Sequence, residues 1–170
     1  MWSAAVYAWA VVIVVMGVSG SGKTTVGRGL ANRLGVDYAE ADEFHPPANI
    51  AKMSAGTPLT DEDRWPWLES IAVWIRDHQG SGGVVTSSAL KYKYRDVLRT
   101  GGDVCFVHLD GPRALIAERL AGRTGHFMPA ALLDSQIADL EPLRPDERGV
   151  VLDIGATPDE LVEAAVRATR

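Results

Sequence analysis

The run Val11-Val12-Ile13-Val14-Val15, within Ala10 to Met16, is short, β-branched and free of polar residues, which predicts a strand buried on both faces, as parallel sheets require. It passes without a break into the glycine-rich stretch Gly17 to Thr24, and a helix is predicted from there to about Leu34. A second short strand is predicted near Val36 to Ala39, ending in Glu40-Ala41-Asp42. Pro46-Pro47 forbids helix before it and suits a helix start after it, so a short helix is placed over Asn49 to Ser54 and stopped by Gly56-Thr57-Pro58. Thr60-Asp61-Glu62-Asp63 reads as a capping box, but a helix starting there holds Pro66 inside it. A start at Asp63 would put Pro66 in the first turn, and the boundary stays open between the two. Trp67, Leu68, Ile71, Trp74, Ile75 and His78 then recur at helical spacing and define a core face, with the tryptophans read as packing.

Gly80-Ser81-Gly82-Gly83 is a turn, followed by an apolar strand through Val84-Val85-Thr86 that ends in Ser87-Ser88. A polar helix over Tyr92 to Arg99, a strand over Val104 to Leu109 and a helix over Pro112 to Ala121 follow. After a Gly/Arg/His-rich stretch come a helix over Pro129 to Leu140, a strand over Val150 to Ile154 and a helix over Pro158 to Ala168. Strict alternation of strands and helices predicts an α/β fold: a parallel sheet with helices on both faces, and ligands held beyond the carboxyl ends of the strands. No internal repeat or linker interrupts the 170 residues, a length that suits a single domain, 1–170.

Charge and cysteine content narrow the function. A formal net charge of −5 argues against a protein that coats nucleic-acid phosphates, so no nucleic-acid partner is expected. Cys105, alone in Val104-Cys105-Phe106-Val107, excludes a disulfide framework and reads as packing; a reducing, cytoplasmic location is the expectation. Met1 to Val18 is almost wholly apolar, yet no Lys or Arg precedes it and it leads into a loop that must lie inside a folded domain, so no membrane partner is expected. Residues 1–9, with Trp2, Tyr7 and Trp9, form an apolar extension with no place in the first strand: a tail, a docking arm, or an incorrectly assigned start.

Gly17-Val18-Ser19-Gly20-Ser21-Gly22-Lys23-Thr24 fulfils G-x-x-x-x-G-K-[ST] between a predicted strand and a predicted helix. Backbone N–H groups cradle a polyphosphate, glycines permit their close approach, and the helix N-terminus adds positive potential. The nucleotide site is accordingly expected over Gly17, Val18, Ser19, Gly20, Ser21, Gly22, Lys23, Thr24 and Thr25. Lys23 would bridge the β- and γ-phosphates of ATP, and the Thr24 hydroxyl would bind Mg²⁺. Asp42, at the end of the second strand, faces the same sheet edge and is a candidate base for an attacking hydroxyl; Glu40 could hold Mg²⁺ through water. The alternative for both carboxylates is a solvated pair at a strand end.

Several stretches are more specific than the phosphate loop: Asp42-Glu43-Phe44-His45-Pro46, Asn49-Ile50-Ala51-Lys52-Met53, Pro58 to Leu68, Ser88-Ala89-Leu90-Lys91, Tyr94-Arg95-Asp96 and Gly125-His126-Phe127. On these the chain, from about Val12 to the last helix, closely resembles the gluconokinase family of P-loop kinases, relatives of shikimate kinase and the nucleoside monophosphate kinases. The resemblance implies a P-loop NTPase fold of three α/β/α layers with a five-stranded parallel sheet and a lid over about 119–128. It also implies transfer of the γ-phosphoryl of ATP to the 6-hydroxyl of D-gluconate, often by a homodimer. It makes Lys23, Asp42 and Arg123 catalytic, with Arg119 and Arg123 on the nucleotide, and puts Asp42, His45, Arg64, Ser88, Lys91, Arg95 and His126 at the acceptor. A polyol acid needs a cation for its carboxylate and hydrogen-bonding groups for its hydroxyls, and these residues supply both. Against Arg64 stands a surface ion pair with Asp61 or Glu62, against Lys91 and Arg95 a solvated helix face, and against Arg119 a favourable place at a helix C-terminus. The chain departs from relatives at Glu40, where Asp is common, and at Ser87, where Cys can occur. The rivals are another small-molecule kinase, such as a shikimate kinase, and an ATP-binding switch module without an acceptor.

Overall fold

In β1 (Val12–Met16), Val12, Val14 and Met16 point to one face and Ile13 and Val15 to the other, and all five are buried. A strand with no solvent face belongs in the middle of a covered sheet, and the computed structural model places it there. It describes residues 11–122 and 130–169. Four more strands, β2 (Asp37–Glu40), β3 (Gly83–Thr86), β4 (Val104–Asp110) and β5 (Gly149–Asp153), join β1 in one parallel sheet of order β2-β3-β1-β4-β5. Val15 sits level with Thr86 on one side and Val107 on the other.

The strand order reverses beside β1, whose neighbours β3 and β4 come from opposite halves of the chain. In such sheets the crevice beyond the carboxyl ends at the reversal is where ligands bind, and the phosphate loop leaves β1 at that point. One face of the sheet is covered by α1 (Lys23–Leu34) and α7 (Pro158–Thr169), which bring Val26, Leu30, Leu161 and Ala165 onto Ile13 and Val15. The other is covered by α3 (Asp61–Asp77) and α4 (Tyr92–Arg99), whose Leu68, Ile71, Ile75 and Leu98 meet Val12, Val14 and Phe106. These are the three layers expected. The remaining helices among the described residues are α2 (Pro47–Ser54), α5 (Arg113–Ala121) and α6 (Ala130–Asp139), with a 3-10 turn over Ala41–Phe44. None of the described helices is long and apolar enough to cross a membrane.

The open boundary at α3 resolves in favour of the earlier start. Thr60 is the N-cap: its Oγ1 accepts from the Asp63 N–H at 3.2 Å, and the Thr60 N–H donates to Asp63 Oδ2 at 2.9 Å. Pro66 therefore lies inside the helix. The bond it cannot donate is the one to the Glu62 carbonyl, and both residues face solvent, so water can satisfy the first-turn carbonyl left over.

Candidate active site

The phosphate loop is shaped by glycines with positive φ, Gly17, Gly20 and Gly22. Gly20, at φ 84°, packs so close to α5 that a Cβ would lie 2.6 Å from Leu120. Gly22, at φ 94°, precedes the first turn of α1, and the space where its Cβ would point is open for 4 Å. An anion can therefore approach the N–H groups that begin α1. Lys23 Nζ donates to the Gly17 and Val18 carbonyls at 2.9 and 3.1 Å, across the mouth of the loop. A cavity of about 310 Å³ opens beside it, bordered by Gly20, Gly22, Thr25, Arg119, Ala156 and Pro158. The Arg119 guanidinium is anchored to the Ile154 carbonyl at 2.6 Å, at the end of β5. Ser19 turns away from this cavity: its N–H and hydroxyl are taken by the carboxamide of Gln136 on α6, at 2.8 and 3.1 Å.

The Tyr38 hydroxyl donates to Glu40 Oε1 at 2.8 Å, and the Thr24 and Thr86 side chains lie near enough to oppose slightly the rise of its pKa. Burial, then the Glu40 carboxylate, push the Tyr38 phenol up to about 12, so it remains a donor at every working pH. Arg28 lies 4.0 Å from the same carboxylate. Ser21 and Ser87 carry buried hydroxyls with no partner among the described residues.

On the acceptor side, Asp42 is exposed on the 3-10 turn beyond β2. Trp67 of α3 fixes this turn by donating its indole N–H to the Ala41 carbonyl at 2.7 Å, and His45 stacks on the same indole with ring centres 4.3 Å apart. Burial, together with the Arg64 charge, lowers the His45 pKa below 6.5, while Asp42 opposes the shift. Asp42 and Arg64 thus both act on the His45 ring. Arg64 Nη1 lies 3.3 Å from the Tyr94 hydroxyl and 3.7 Å from Asp61, its helix neighbour. Tyr94 gathers the cations: Arg64, Lys91 and Lys93 stand 5.5, 5.9 and 5.9 Å from its ring centre. Its phenol is pushed up to about 12 by burial and by donating to Asp61 at 2.7 Å. Lys91 also lies 4.0 Å from Asp139.

Arg95 departs from its expected place at the acceptor. The side chain is 0% exposed, its Nε donates to Glu147 at 2.7 Å, and its Nη1 and Nη2 donate to the carbonyls of Ala89, Glu141 and Pro142 at 2.8, 2.9 and 3.2 Å. A guanidinium so committed has no fork to offer a ligand. It braces instead the turn that presents Ser88 and Lys91, where Ala89 adopts φ 44°. Arg123 and His126 lie outside the described residues, as do most of the expected lid and residues 1–9.

Sequence reading missed Asn49, Tyr94 and Gln136 as organisers of the site. Asn49 and Tyr94 fall in stretches that carry the family resemblance, but nothing in the sequence assigns either this role, Gln136 carried no signal, and the burial of Asn49 in its short helix is visible only in the structure.

A parallel sheet of this order with a phosphate loop at its reversal is the architecture of a P-loop kinase. The family model described as "AAA domain" matches residues 13–128. A gluconokinase of Gluconobacter oxydans is 51% identical over 159 residues, covering 91% of this chain and 89% of its own. The thermosensitive gluconokinase of Escherichia coli is 44% identical, with 92% and 88% covered. The crystal structure of a gluconokinase from Sinorhizobium meliloti superposes with a TM-score of 0.86 at 46% identity, with 95% and 92% covered. The chain belongs to the gluconokinase family.

Proposed function

We propose that this protein transfers the γ-phosphoryl group of ATP to the 6-hydroxyl of D-gluconate, giving 6-phospho-D-gluconate and ADP. The observation that carries the reading is the gathering of Asp42, His45 and Arg64 beyond the end of β2, on the sheet edge from which the phosphate loop also rises. The loop N–H groups and Lys23 hold the polyphosphate, and the cavity bordered by Arg119, Ala156 and Pro158 receives the rest of the nucleotide. Asp42 accepts the proton of the acceptor hydroxyl as its oxygen bonds to the γ-phosphorus and the bond to ADP breaks. Arg64 and Lys91, held around Tyr94, are the cations for the sugar-acid carboxylate, and Ser88 serves its hydroxyls. Arg123 at the transferring phosphoryl and His126 at the acceptor complete the assignment from sequence alone.

The Thr24 hydroxyl and, through water, Glu40 would hold Mg²⁺, which when bound spreads the charge of the transferring phosphoryl group. The fit is chemical: both are hard oxygen donors, and the Tyr38 hydroxyl holds the Glu40 carboxylate at 2.8 Å. Work in the cytoplasm and assembly as a homodimer go with this reading; light scattering on the purified protein reads the second. ADP formation from Mg·ATP is measured with and without gluconate, with shikimate, AMP and glucose as parallel acceptors. Gluconate-dependent turnover that falls about 10²- to 10⁴-fold in Asp42→Asn is expected. Turnover with shikimate or AMP instead, or ATP hydrolysis indifferent to any acceptor, would overturn the assignment in favour of another kinase or a switch.

A further inference from the structure

Helix α2 packs against the acceptor side of the site through one buried residue, and that residue is a carboxamide: Asn49 is 2% exposed. A polar side chain in that position must be bonded. Asn49 Nδ2 lies 2.9 Å from the Asp63 carbonyl oxygen and 3.2 Å from His45 Nδ1. The carbonyl can only accept, so the amide must turn its NH₂ toward it, and the second hydrogen of that NH₂ is then directed at Nδ1. An Nδ1 that accepts carries no proton, which leaves the proton on Nε2. No described residue accepts from Nε2. The ring lies at 13° from parallel on Trp67, which is itself held by the Ala41 carbonyl, and a flip of the ring in that plane would put Cδ2 in place of Nδ1 and leave the second amide hydrogen of Asn49 without its acceptor.

We propose that Asn49 is a positioning residue that fixes His45 as the Nε2–H tautomer, so that a donor from His45 and an acceptor from Asp42 are presented together to the hydroxyls of the acceptor. The inference rests on the acceptor site proposed above. A hydroxyl both donates and accepts; set between a carboxylate and an imidazole N–H, it has one favoured orientation, with its proton toward Asp42. The opposite tautomer would present two acceptors and leave that orientation unspecified. The charged groups acting on the ring are Asp42 from the 3-10 turn and Arg64 from α3; burial, the largest influence, and Arg64 lower its pKa below 6.5, and Asp42 opposes them.

The test combines nitrogen-15 spectroscopy of the histidine rings in the full chain with acceptor kinetics. Wild type is expected to show His45 protonated on Nε2 and bare on Nδ1. In Asn49→Asp the carboxylate can only accept, so Nδ1 takes up a proton. In Asn49→Leu neither tautomer is enforced. Both variants should raise KM for the acceptor roughly tenfold, the scale of one misdirected hydrogen bond, and leave KM for ATP unchanged. A proton on Nδ1 in wild type, an unchanged Nε2–H signature in Asn49→Asp, or a wild-type acceptor KM in both variants would overturn the proposal. The acceptor followed is whichever one supports turnover, so a failure of gluconate as substrate shows in the wild-type screen and leaves the ring signals to decide the tautomer.

Discussion

Tyr94 stands at the centre of the proposed acceptor site. Its hydroxyl is bonded to Asp61 and lies within reach of Arg64, and its ring faces three cations. Tyr94→Phe keeps the ring and removes the hydroxyl, so Arg64 loses one of its two described tethers. The expected outcome is a five- to tenfold rise in the KM for gluconate with the KM for ATP unchanged, measured by coupled assay, because the nucleotide cavity lies across the sheet edge. Residue type alone suggests the roles proposed for Asp42, Lys23 and Thr24, since a base, a phosphate-bridging ammonium and a hydroxyl are what phosphoryl transfer needs. It could not point to Tyr94, because an aromatic residue on a short polar helix reads as packing until its neighbours are known.

The elements were legible wherever periodicity was strong. Helix α4 was read over Tyr92 to Arg99 and is found there, and the strands were placed to within a residue or two of their ends. The start of α3 was not, because the sequence holds two conflicting signals and propensity favours neither. The capping box wins since Pro66 lies on the solvent face, where its missing N–H strands a carbonyl that water can reach. Thr60→Ala should therefore lower stability by about 1 kcal/mol, read from urea denaturation. The same box has a pH signature. Asp63 bonds to Lys52 and to the Thr60 backbone N–H, which hold its carboxyl at about 2 against an ordinary 3.8. Its folded value is depressed, so its contribution is complete above 3.8 and is lost as the pH falls through about 2. Thermal melts between pH 5 and pH 2 should converge for wild type and Lys52→Met at the acid end.

Across the whole molecule, Arg95 joins parts of the chain that are far apart in sequence. Its guanidinium links α4 to the turn after β3, to the connection after α6 and to Glu147 before β5. Arg95→Met should destabilise the protein by about 3–5 kcal/mol, because it leaves Glu147 buried without its partner, and Arg95→Lys should recover little since an ammonium cannot reproduce the fork. Burial opposes ionisation of Glu147, but bonds from Arg95 and the Arg144 backbone overcome it and bring its pKa below 4.5. Its stabilising effect is present above 4.5 and lost as acid brings the pH through the lower folded value, so the gap between wild type and Arg95→Met should narrow in that range. The fold itself could be read in advance because strand and helix alternate and each covers the next. Arg95 could not: beside Lys91 it looks like another ligand cation, and nothing local says that a carboxylate 52 residues later will enclose it.

The central place of β1 also bears on how the protein is made. Ribosomes deliver the apolar strand Val12–Met16 before either of its hydrogen-bonding partners, β3 and β4, while β2 pairs only with β3. About 70 further residues must be synthesised before the first partner exists, which at ordinary elongation rates of about 5–20 residues per second is several seconds. Throughout that interval a five-residue, charge-free β-former waits unpaired on the nascent chain, so the molecule is most exposed to aggregation during its synthesis, before the strand that will carry its phosphate loop has been enclosed.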